Sequence, residues 1–431
     1  DLSGLAIHTA PARTQPAPSQ IIRVGGGTFS PSMIFSDAAT KFQGTQAGWV
    51  TGLGSNAVAV SPDDPSVRVY RVRRDYFTAS DSALIEDAAV TSQSQNLSVS
   101  SPEYVSASMI KNLRDQYALD WNQWPVAQGA PYIERNGVPG YQAPPPFSST
   151  FTPESLITRK YDDPGIAADP RFPADQVMWT AYNDLDPTIS KKFMGSNPLG
   201  LEAQATIWAY KRTDLLGNVI YRRLRLINKG GVDMGGGVRG SLYIDNMYVG
   251  QWADPDIGRG FDDLVGCDST LSLAFAYNGN PEDSDFTRYN IAPPAVGYSV
   301  LQGPVVPSAS DTAVIDFKRR KGFKNLEMNS FAYYSSGTLL DDPPEADYVT
   351  GTARWYKMLR GFAPLGIASD TPYPLPPGYG PTRFPLSGDP VTGTGFLDGL
   401  GTAYSLVPGD RRILLNTGPF TFAPGDTQEV V

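Results

Sequence analysis

The density of turn-forming residues constrains this chain more than any other feature. Its 431 residues include 43 glycines and 38 prolines. Proline interrupts helices and inner strands, and glycine weakens the interior of both. Long helices therefore have little room, whereas 22 tyrosines and 19 phenylalanines favour short strands between turns. We predict an all-β dominated chain, an antiparallel β-sandwich with long loops and a few short helices.

A β-hairpin is the clearest local prediction. Ala205–Lys211 and Val219–Ile227 have the composition of strands, and Leu216–Asn218 between them has that of a turn. Further predicted elements are strands over Ser66–Arg74, Ser241–Val249 and Leu271–Tyr277, and helices over Pro102–Asp120 and Ala346–Leu359.

Composition predicts three regions along the chain. Residues 1–20 form an extended proline-rich arm. Residues 21–195 form an N-terminal β and loop region with one short helix. Residues 196–431 form the β-sandwich region, which contains an acidic loop. One continuous unit over the last two regions is the alternative.

Charge and rare residues exclude several classes of protein. The net charge of −9 argues against a general nucleic-acid binder. The single histidine, His8, argues against histidine triads and histidine-ligated zinc. The single cysteine, Cys267, rules out an intrachain disulfide. No apolar run approaches the roughly 18 residues of a membrane span, so we expect none.

The acidic loop is the strongest chemical signal in the chain. Residues 252–268 read WADPDIGRGFDDLVGCD, where only Arg259 opposes the carboxylates. Calcium binds six to eight oxygens on a turning backbone, and Gly258, Gly260 and Gly266 permit such a turn. Without histidine nearby, oxygen ligands favour calcium over zinc or copper. The predicted Ca²⁺ ligands are Asp254, Asp256, Asp262, Asp263 and Asp268.

Two alternatives stay open at this loop. It does not match an EF-hand, because Val265 stands where the bidentate glutamate would be. The loop is also compatible with a solvated turn in which the aspartates are turn formers. A second acidic segment, Glu282–Asp285, either completes the site or is plain surface. We expect Cys267 to be a small buried side chain, because calcium does not favour sulfur.

No motif of an enzyme active site is present. Gly235–Gly240 matches G-x-G-x-x-G, but a predicted strand follows it where a nucleotide site requires a helix. We therefore expect a non-enzymatic protein. A glycosidase that uses two carboxylates remains an alternative, since it needs no histidine. The tryptophans are either sugar platforms or core residues, and core packing accounts for most of them.

The second half of the chain resembles a family of large secreted proteins of the Bacteroidota–Ignavibacteria lineage, many of them cargo of the type IX secretion system. The resemblance covers about residues 120–431. It rests on Asp175–Asp186, Gly200–Glu202, Ala209–Lys229, Met247–Asp268, Pro293–Pro304, Asp347–Phe362, Ser387–Gly395 and Asp410–Phe422. The resemblance implies secretion, a β-sandwich, and a location outside the cell or on its outer surface. It also implies further sequence beyond Val431 that leads to a sorting region.

Together these features predict a secreted, calcium-stabilised structural or adhesive protein of the bacterial surface. A subunit of an extracellular filament or layer is an extension of this prediction. The expected partners are other copies of the chain, or other surface proteins and glycans. An extracellular glycan-binding protein or carbohydrate-active enzyme is the alternative.

Overall fold

The computed structural model describes most of the second half of the chain and short segments of the first half. The described residues are 70–73, 115, 119–120, 123–125, 129–130, 134–135, 138–139, 176–185, 198–210, 215–233, 235–287, 290–315, 318–344, 347 and 350–431. The predicted arm at residues 1–20 lies outside them, as does His8.

The described residues form short strands and two short α-helices. In chain order the strands are β1 (Tyr70–Arg73), β2 (Glu134–Arg135), β3 (Val138–Pro139), β4 (Gln176–Asn183), β5 (Leu201–Ala209), β6 (Ile220–Asn228), β7 (Val232–Asp233), β8 (Arg239–Gly240), β9 (Ile244–Ala253), β10 (Asp263–Asp268), β11 (Leu273–Asn278), β12 (Ala295–Ser299), β13 (Val305–Ile315), β14 (Lys318–Asn325), β15 (Met328–Tyr334), β16 (Arg412–Phe422) and β17 (Thr427–Val430). The helices are α1 (Ser284–Thr287) and α2 (Gly351–Leu359). Each pairing between these strands is antiparallel. The prediction of an all-β dominated chain of antiparallel sheets is therefore confirmed.

A five-stranded sheet has the order β1-β4-β5-β6-β17. The predicted hairpin is its centre: β5 and β6 pair from Leu201 with Asn228 to Ala209 with Ile220, and a 3-10 turn closes between them. β4 lies before the predicted boundary at residue 195, yet it pairs along its whole length with β5. The sheet therefore crosses that boundary.

A three-stranded central sheet has the order β15-β16-β9. Adjacent residues of a strand point to opposite faces, so the burial of both Leu414 and Leu415 means that both faces are covered. Helix α2 covers one face, where Leu359 lies against Gly250. The opposite face packs on two sheets. The outer sheet, β10-β11-β12, covers the end of the central sheet near Ala253, and the five-stranded sheet covers the other end.

Other predicted elements agree with the structure to within a few residues. Residues 115, 119 and 120 are helical, inside the predicted first helix. Helix α2 and strand β11 coincide with predicted elements. The strand predicted over Ser241–Val249 is shifted and runs over Ile244–Ala253. The strand extends to Ala253 because β16 pairs with it that far. A local sequence pattern contains no information on this pairing.

Candidate metal centre

Of the predicted acidic loop at 252–268, only residues 254–262 are a loop in the structure, and this shorter acidic loop leaves the central sheet where β9 ends. Ala253 pairs there with Ile413 of β16. Paired strands lie about 4.8 Å apart. The start of the loop is therefore held beside the residues that precede β16, although these are distant in sequence. A site built here draws ligands from both segments.

Three carboxylates meet at this point, which we call the aspartate triad: Asp254, Asp256 and Asp410. One carboxylate oxygen of each lies within 4.8 Å of the others. Asp256 is exposed, while Asp254 and Asp410 are half-buried. Calcium and magnesium prefer such an all-oxygen set, and soft metals do not.

Arg412 neutralises part of the aspartate triad. Its Nε lies 3.3 Å from Asp254 Oδ2, and its Nη2 lies 3.0 Å from Asp410 Oδ2. The other oxygens of these two carboxylates, Asp254 Oδ1 and Asp410 Oδ1, are buried without a hydrogen-bond partner. Buried polar oxygens without partners are costly. The triad therefore presents two oxygens that a cation would satisfy.

Asp263 holds the acidic loop in place through hydrogen bonds. Its side chain is 0% exposed. The Ile257 N–H donates to Asp263 Oδ2 over 3.1 Å, whereas Oδ1 has no hydrogen-bond partner. The Gly409 N–H donates to the Asp263 carbonyl oxygen over 3.1 Å. Asp263 thus ties the acidic loop to the segment that carries Asp410.

The pKa values of Asp254, Asp256 and Asp263 are all raised at the acidic loop. Burial raises the pKa of Asp254 to about 7, and Arg412 offsets this only in part. Burial also raises the pKa of Asp263 to about 7, with a further increase from the charges of Asp256 and Asp410. The pKa of Asp256 is raised by burial first and then by Asp410. A bound cation would reverse these effects by stabilising the ionised forms.

The structure does not bring Asp262 and Asp268 to the aspartate triad. Asp262 Oδ2 accepts hydrogen bonds from Asn278 Nδ2 over 3.1 Å and from the Asn280 N–H over 3.2 Å. Asp268 stands at the far end of β10, about 17 Å along the strand from Asp263. It accepts from the Thr270 N–H and hydroxyl at 2.8 and 2.6 Å. Asp268 is therefore a turn former, the alternative that the sequence left open. Asp262 instead joins the start of β10 to the turn after β11.

The second acidic segment supports the loop rather than the triad. Asp283 Oδ2 accepts from the Arg259 N–H over 3.1 Å, and Asp283 Oδ1 accepts from the Asp285 N–H over 2.7 Å. Asp283 is buried, while Glu282 and Asp285 are exposed. Among the described residues, none of these three belongs to a group of metal-compatible carboxylates.

Two of the three glycines singled out in the loop make its turn. Gly258 and Gly260 have φ values of 70° and 63°, which side chains rarely adopt. A Cβ on Gly258 would lie 2.5 Å from Asp283 Oδ1. The expectation for Gly266 was wrong. It lies inside β10, where a Cβ would lie 2.5 Å from the Phe275 ring, so its role is close strand packing.

Cys267 is buried in the core, as the sequence predicts. It is 1% exposed, and its thiol donates to the Pro385 carbonyl oxygen over 3.3 Å. Its neighbours in the core include Val265 and Ala274.

The glycine motif at Gly235–Gly240 lies in the β7–β8 hairpin, and a strand follows it.

Sequence reasoning missed Asp410 and Arg412. They stand before the apolar run of β16, and the only local signal is the charged turn Pro408–Arg412. That turn resembles many surface turns. Its place in the site follows from the pairing of β16 with β9, which joins segments far apart in the chain.

Comparisons with protein families, with curated proteins and with solved structures found no match. Within the residues that the structure describes, none of the helices has the length and apolar character needed to cross a membrane.

Proposed function

We propose that this protein is a calcium-stabilised, non-enzymatic structural or adhesive protein of the bacterial exterior. The observation that carries the proposal is the aspartate triad, in which Asp254 Oδ1 and Asp410 Oδ1 are buried and unpartnered. The extracellular setting rests on the sequence resemblance to secreted surface proteins. Calcium is abundant there, and a site of moderate affinity would be filled.

The charge of the site fits a divalent cation. Three ionised aspartates and Arg412 carry a net charge of −2. Arg412 holds two of the carboxylates in place through their Oδ2 atoms. The two Oδ1 atoms, the Asp256 carboxylate and water then supply the ligands. Calcium accepts such an irregular set, whereas magnesium demands near-octahedral geometry.

Four of the tryptophans support a packing role. Trp179, Trp208 and Trp355 are buried in hydrophobic clusters. Trp252 is half-buried, and its Nε1 donates to the Tyr334 hydroxyl over 2.7 Å. A sugar platform needs an exposed aromatic face, which these four residues do not offer. This favours a structural protein over the glycan-binding alternative.

Thermal unfolding with calcium or with a chelator tests the cation site. At calcium about a hundredfold above Kd, the protein gains about 2.7 kcal/mol. Asp254→Asn and Asp410→Asn should each remove most of the calcium-dependent rise in Tm. Asp268→Asn is the matched control and should keep it. An equal Tm in millimolar calcium and in chelator would refute the site.

The non-enzymatic role needs its own test. A glycan array and a hydrolysis screen should give no signal above that of the Asp254→Asn variant. Specific binding to one glycan, or turnover of one, would replace the structural proposal with the glycan-binding or carbohydrate-active alternative.

A further inference from the structure

A strongly basic hairpin stands out from this acidic chain. Strand β14 has the sequence KRRKGFKN, with five cationic residues and no acid, while its partner β13 has one acid, Asp311. The whole chain carries −9. Strands β13 and β14 form a two-stranded sheet of their own, which we call the basic hairpin. Like charges in one strand repel each other, so this surface favours an anionic partner.

The exposed cationic side chains of β14 lie on both sides of a bulge in the hairpin. Between the pairs Pro307–Phe323 and Thr312–Lys321, the register shifts opposite Gly322, whose φ is 81°. Arg320 consequently stacks over Phe323, 4.7 Å from the ring centroid. Those two side chains share the inner face of the hairpin, next to buried Ala313. The side chains of Arg319, Lys321 and Lys324 are exposed.

The basic hairpin is fixed to one end of the central sheet. Its last residue, Asn325, is three positions before Met328, where β15 begins. At its first residue, Gln428 Oε1 accepts from the Val305 N–H over 2.8 Å, and Gln428 Nε2 donates to the Val305 carbonyl over 3.1 Å. Asn325 Nδ2 also donates to the Gly303 carbonyl oxygen. The base of the hairpin is thus anchored to β17 and to the segment before β13.

The opposite end of the central sheet is acidic. Strand β15 ends at Tyr334, which pairs with Arg412 beside the aspartate triad. The two ends of the seven-residue β15 are about 20 Å apart. We call the surface at this end the acidic pole. The aspartate triad lies there with Asp262 of the same loop, and Asp342 Oδ2 lies 3.9 Å from Arg412 Nη1, with Asp341 next to it in the chain. Glu282 and Asp285 flank Asp283, whose carboxylate accepts from the Arg259 N–H. The acids of the acidic pole are Asp254, Asp256, Asp262, Glu282, Asp285, Asp341, Asp342 and Asp410, and its cations are Arg259 and Arg412.

We propose that copies of this protein associate head to tail, with the basic hairpin of one copy docked on the acidic pole of the next. This proposal rests on the structural role proposed above and names its partner as a second copy. Eight acids against two cations leave the acidic pole at −6, and one bound calcium ion leaves it at −4. The exposed side chains of Arg319, Lys321 and Lys324 complement either charge.

The geometry defines the kind of assembly. The two surfaces are different and lie at opposite ends of β15. A contact between them is heterologous, and the resulting pair of copies keeps one free hairpin and one free pole. Such contacts extend into open arrays unless a rotation closes a ring. A foreign polyanion is the less favoured partner, because the net charge of −9 repels it from the rest of the molecule.

Sedimentation velocity and negative-stain microscopy at low salt test the proposal. The first variant is Lys321→Glu with Lys324→Glu, on the basic hairpin. The second is Glu282→Lys with Asp285→Lys, at the acidic pole but outside the aspartate triad. The control is Lys229→Glu with Arg239→Glu, which makes the same change in net charge as the first variant but near β7 and β8.

The native protein and the control should form oligomers that dissociate as salt rises to about 0.5 M, where the Debye length is only a few ångströms. Each of the two test variants alone should remain monomeric. Their equimolar mixture should form dimers and stop there. The native hairpin of the second variant meets the native pole of the first, whereas the altered hairpin and the altered pole are both negative and do not pair.

Three results would overturn head-to-tail association. They are a monomeric native protein at low salt, assembly of either test variant alone, and failure of the mixture to form dimers. A monomer whose hairpin binds heparin would instead identify a foreign polyanion as the partner. None of these results depends on calcium-dependent melting, so the two proposals fail separately.

Discussion

Arg412 Nε lies 3.3 Å from Asp254 Oδ2, while Asp254 Oδ1 is buried without a partner. Arg412 therefore holds one oxygen of the Asp254 carboxylate, and the other oxygen has no partner within the protein. The same division holds at Asp410. Arg412 leaves the Oδ1 atoms of both residues without a donor. The arrangement positions the carboxylates and leaves the rest of their charge to a cation.

Arg412→Gln should make the protein depend on calcium more strongly. The change removes the cation that opposes the aspartate triad, so repulsion among the carboxylates grows. In chelator, the free energy of unfolding should fall by about 1–3 kcal/mol, between the values for exposed and buried ion pairs. Calcium should restore part of the loss. Urea titrations with and without calcium measure both quantities.

Arg360→Gln is the matched control, because it breaks the partly exposed pair of Arg360 and Asp370, away from the triad. Its effect on stability should be small and the same with or without calcium. A loss in Arg412→Gln that calcium leaves unchanged would mean that Arg412 stabilises the fold without sharing a site with the ion.

Stability should depend on pH in a way that calcium suppresses. Without calcium, Asp254 and Asp263 have folded-state pKa values of about 7, above the value of about 3.9 for an unfolded aspartate. Between these values the folded state binds more protons than the unfolded state. The free energy of unfolding contributed by these groups is therefore present below about pH 4 and is lost as the pH rises to about 7.

Chemical denaturation from pH 4.5 to 7.5 in chelator should show this decline for the native protein. Asp254→Asn should show a shallower decline, since one titrating group is gone. Calcium should oppose the decline near pH 7, because it stabilises the ionised carboxylates. Stability that rises with pH in chelator over this range would contradict the assignment.

The sequence could predict the parts of the fold that depend on near neighbours. The β5–β6 hairpin follows from two strand-like runs and a short turn, all within about 30 residues of chain. The glycines of the acidic loop also act locally, as the turns at Gly258 and Gly260 show. The burial of Cys267 follows from its apolar surroundings in β10.

The candidate site depends on distant neighbours, and there the sequence is ambiguous. The sequence contains five similar aspartates between 254 and 268. Only the formation of β10 separates Asp268 from the others. The third member of the triad, Asp410, arrives through the pairing of β9 with β16. Many strands could pair with β9, and local composition does not choose among them. The bulge opposite Gly322 also escapes a simple pattern, because strict alternation along β14 would put Arg320 and Phe323 on opposite faces.

Gly260→Ala should weaken calcium binding through the backbone. Gly260 has a φ of 63°, and a Cβ there would collide with Asp256 Oδ1. The left-handed conformation alone costs a residue with a side chain about 1–2 kcal/mol. The collision additionally displaces one carboxylate of the triad. Calorimetric titration should therefore show a higher Kd for calcium, besides a lower Tm.

Gly235→Ala is the control for the backbone cost. Its φ is 93°, and a Cβ there meets no atom within 4 Å. This variant should lose a similar amount of stability and keep the native Kd for calcium. Equal calcium affinity in both variants would show that Asp256 is not a ligand.

Asp398→Asn should be the most destabilising of these substitutions. Arg411 Nε donates to Asp398 Oδ2 over 2.9 Å, and the two side chains are 1% and 0% exposed. Asp398 Oδ2 also accepts from the Val265 N–H over 3.1 Å, so the pair joins β10 to the start of β16. Removing the charge leaves Arg411 buried and uncompensated, at a cost of about 3–5 kcal/mol.

Replacing both Asp398 and Arg411 distinguishes the cost of an unpaired buried charge from the cost of altered packing. Asp398→Leu with Arg411→Met leaves no buried charge, and buried ion pairs replaced in this way often cost little. The double variant should therefore be more stable in urea than Asp398→Asn alone, although the Val265 N–H loses its acceptor. If the single substitution cost less than about 1 kcal/mol, Arg411 would have to reach water in the folded protein. The structure would then be wrong in burying this pair, and wrong in joining β10 to the start of β16 through it.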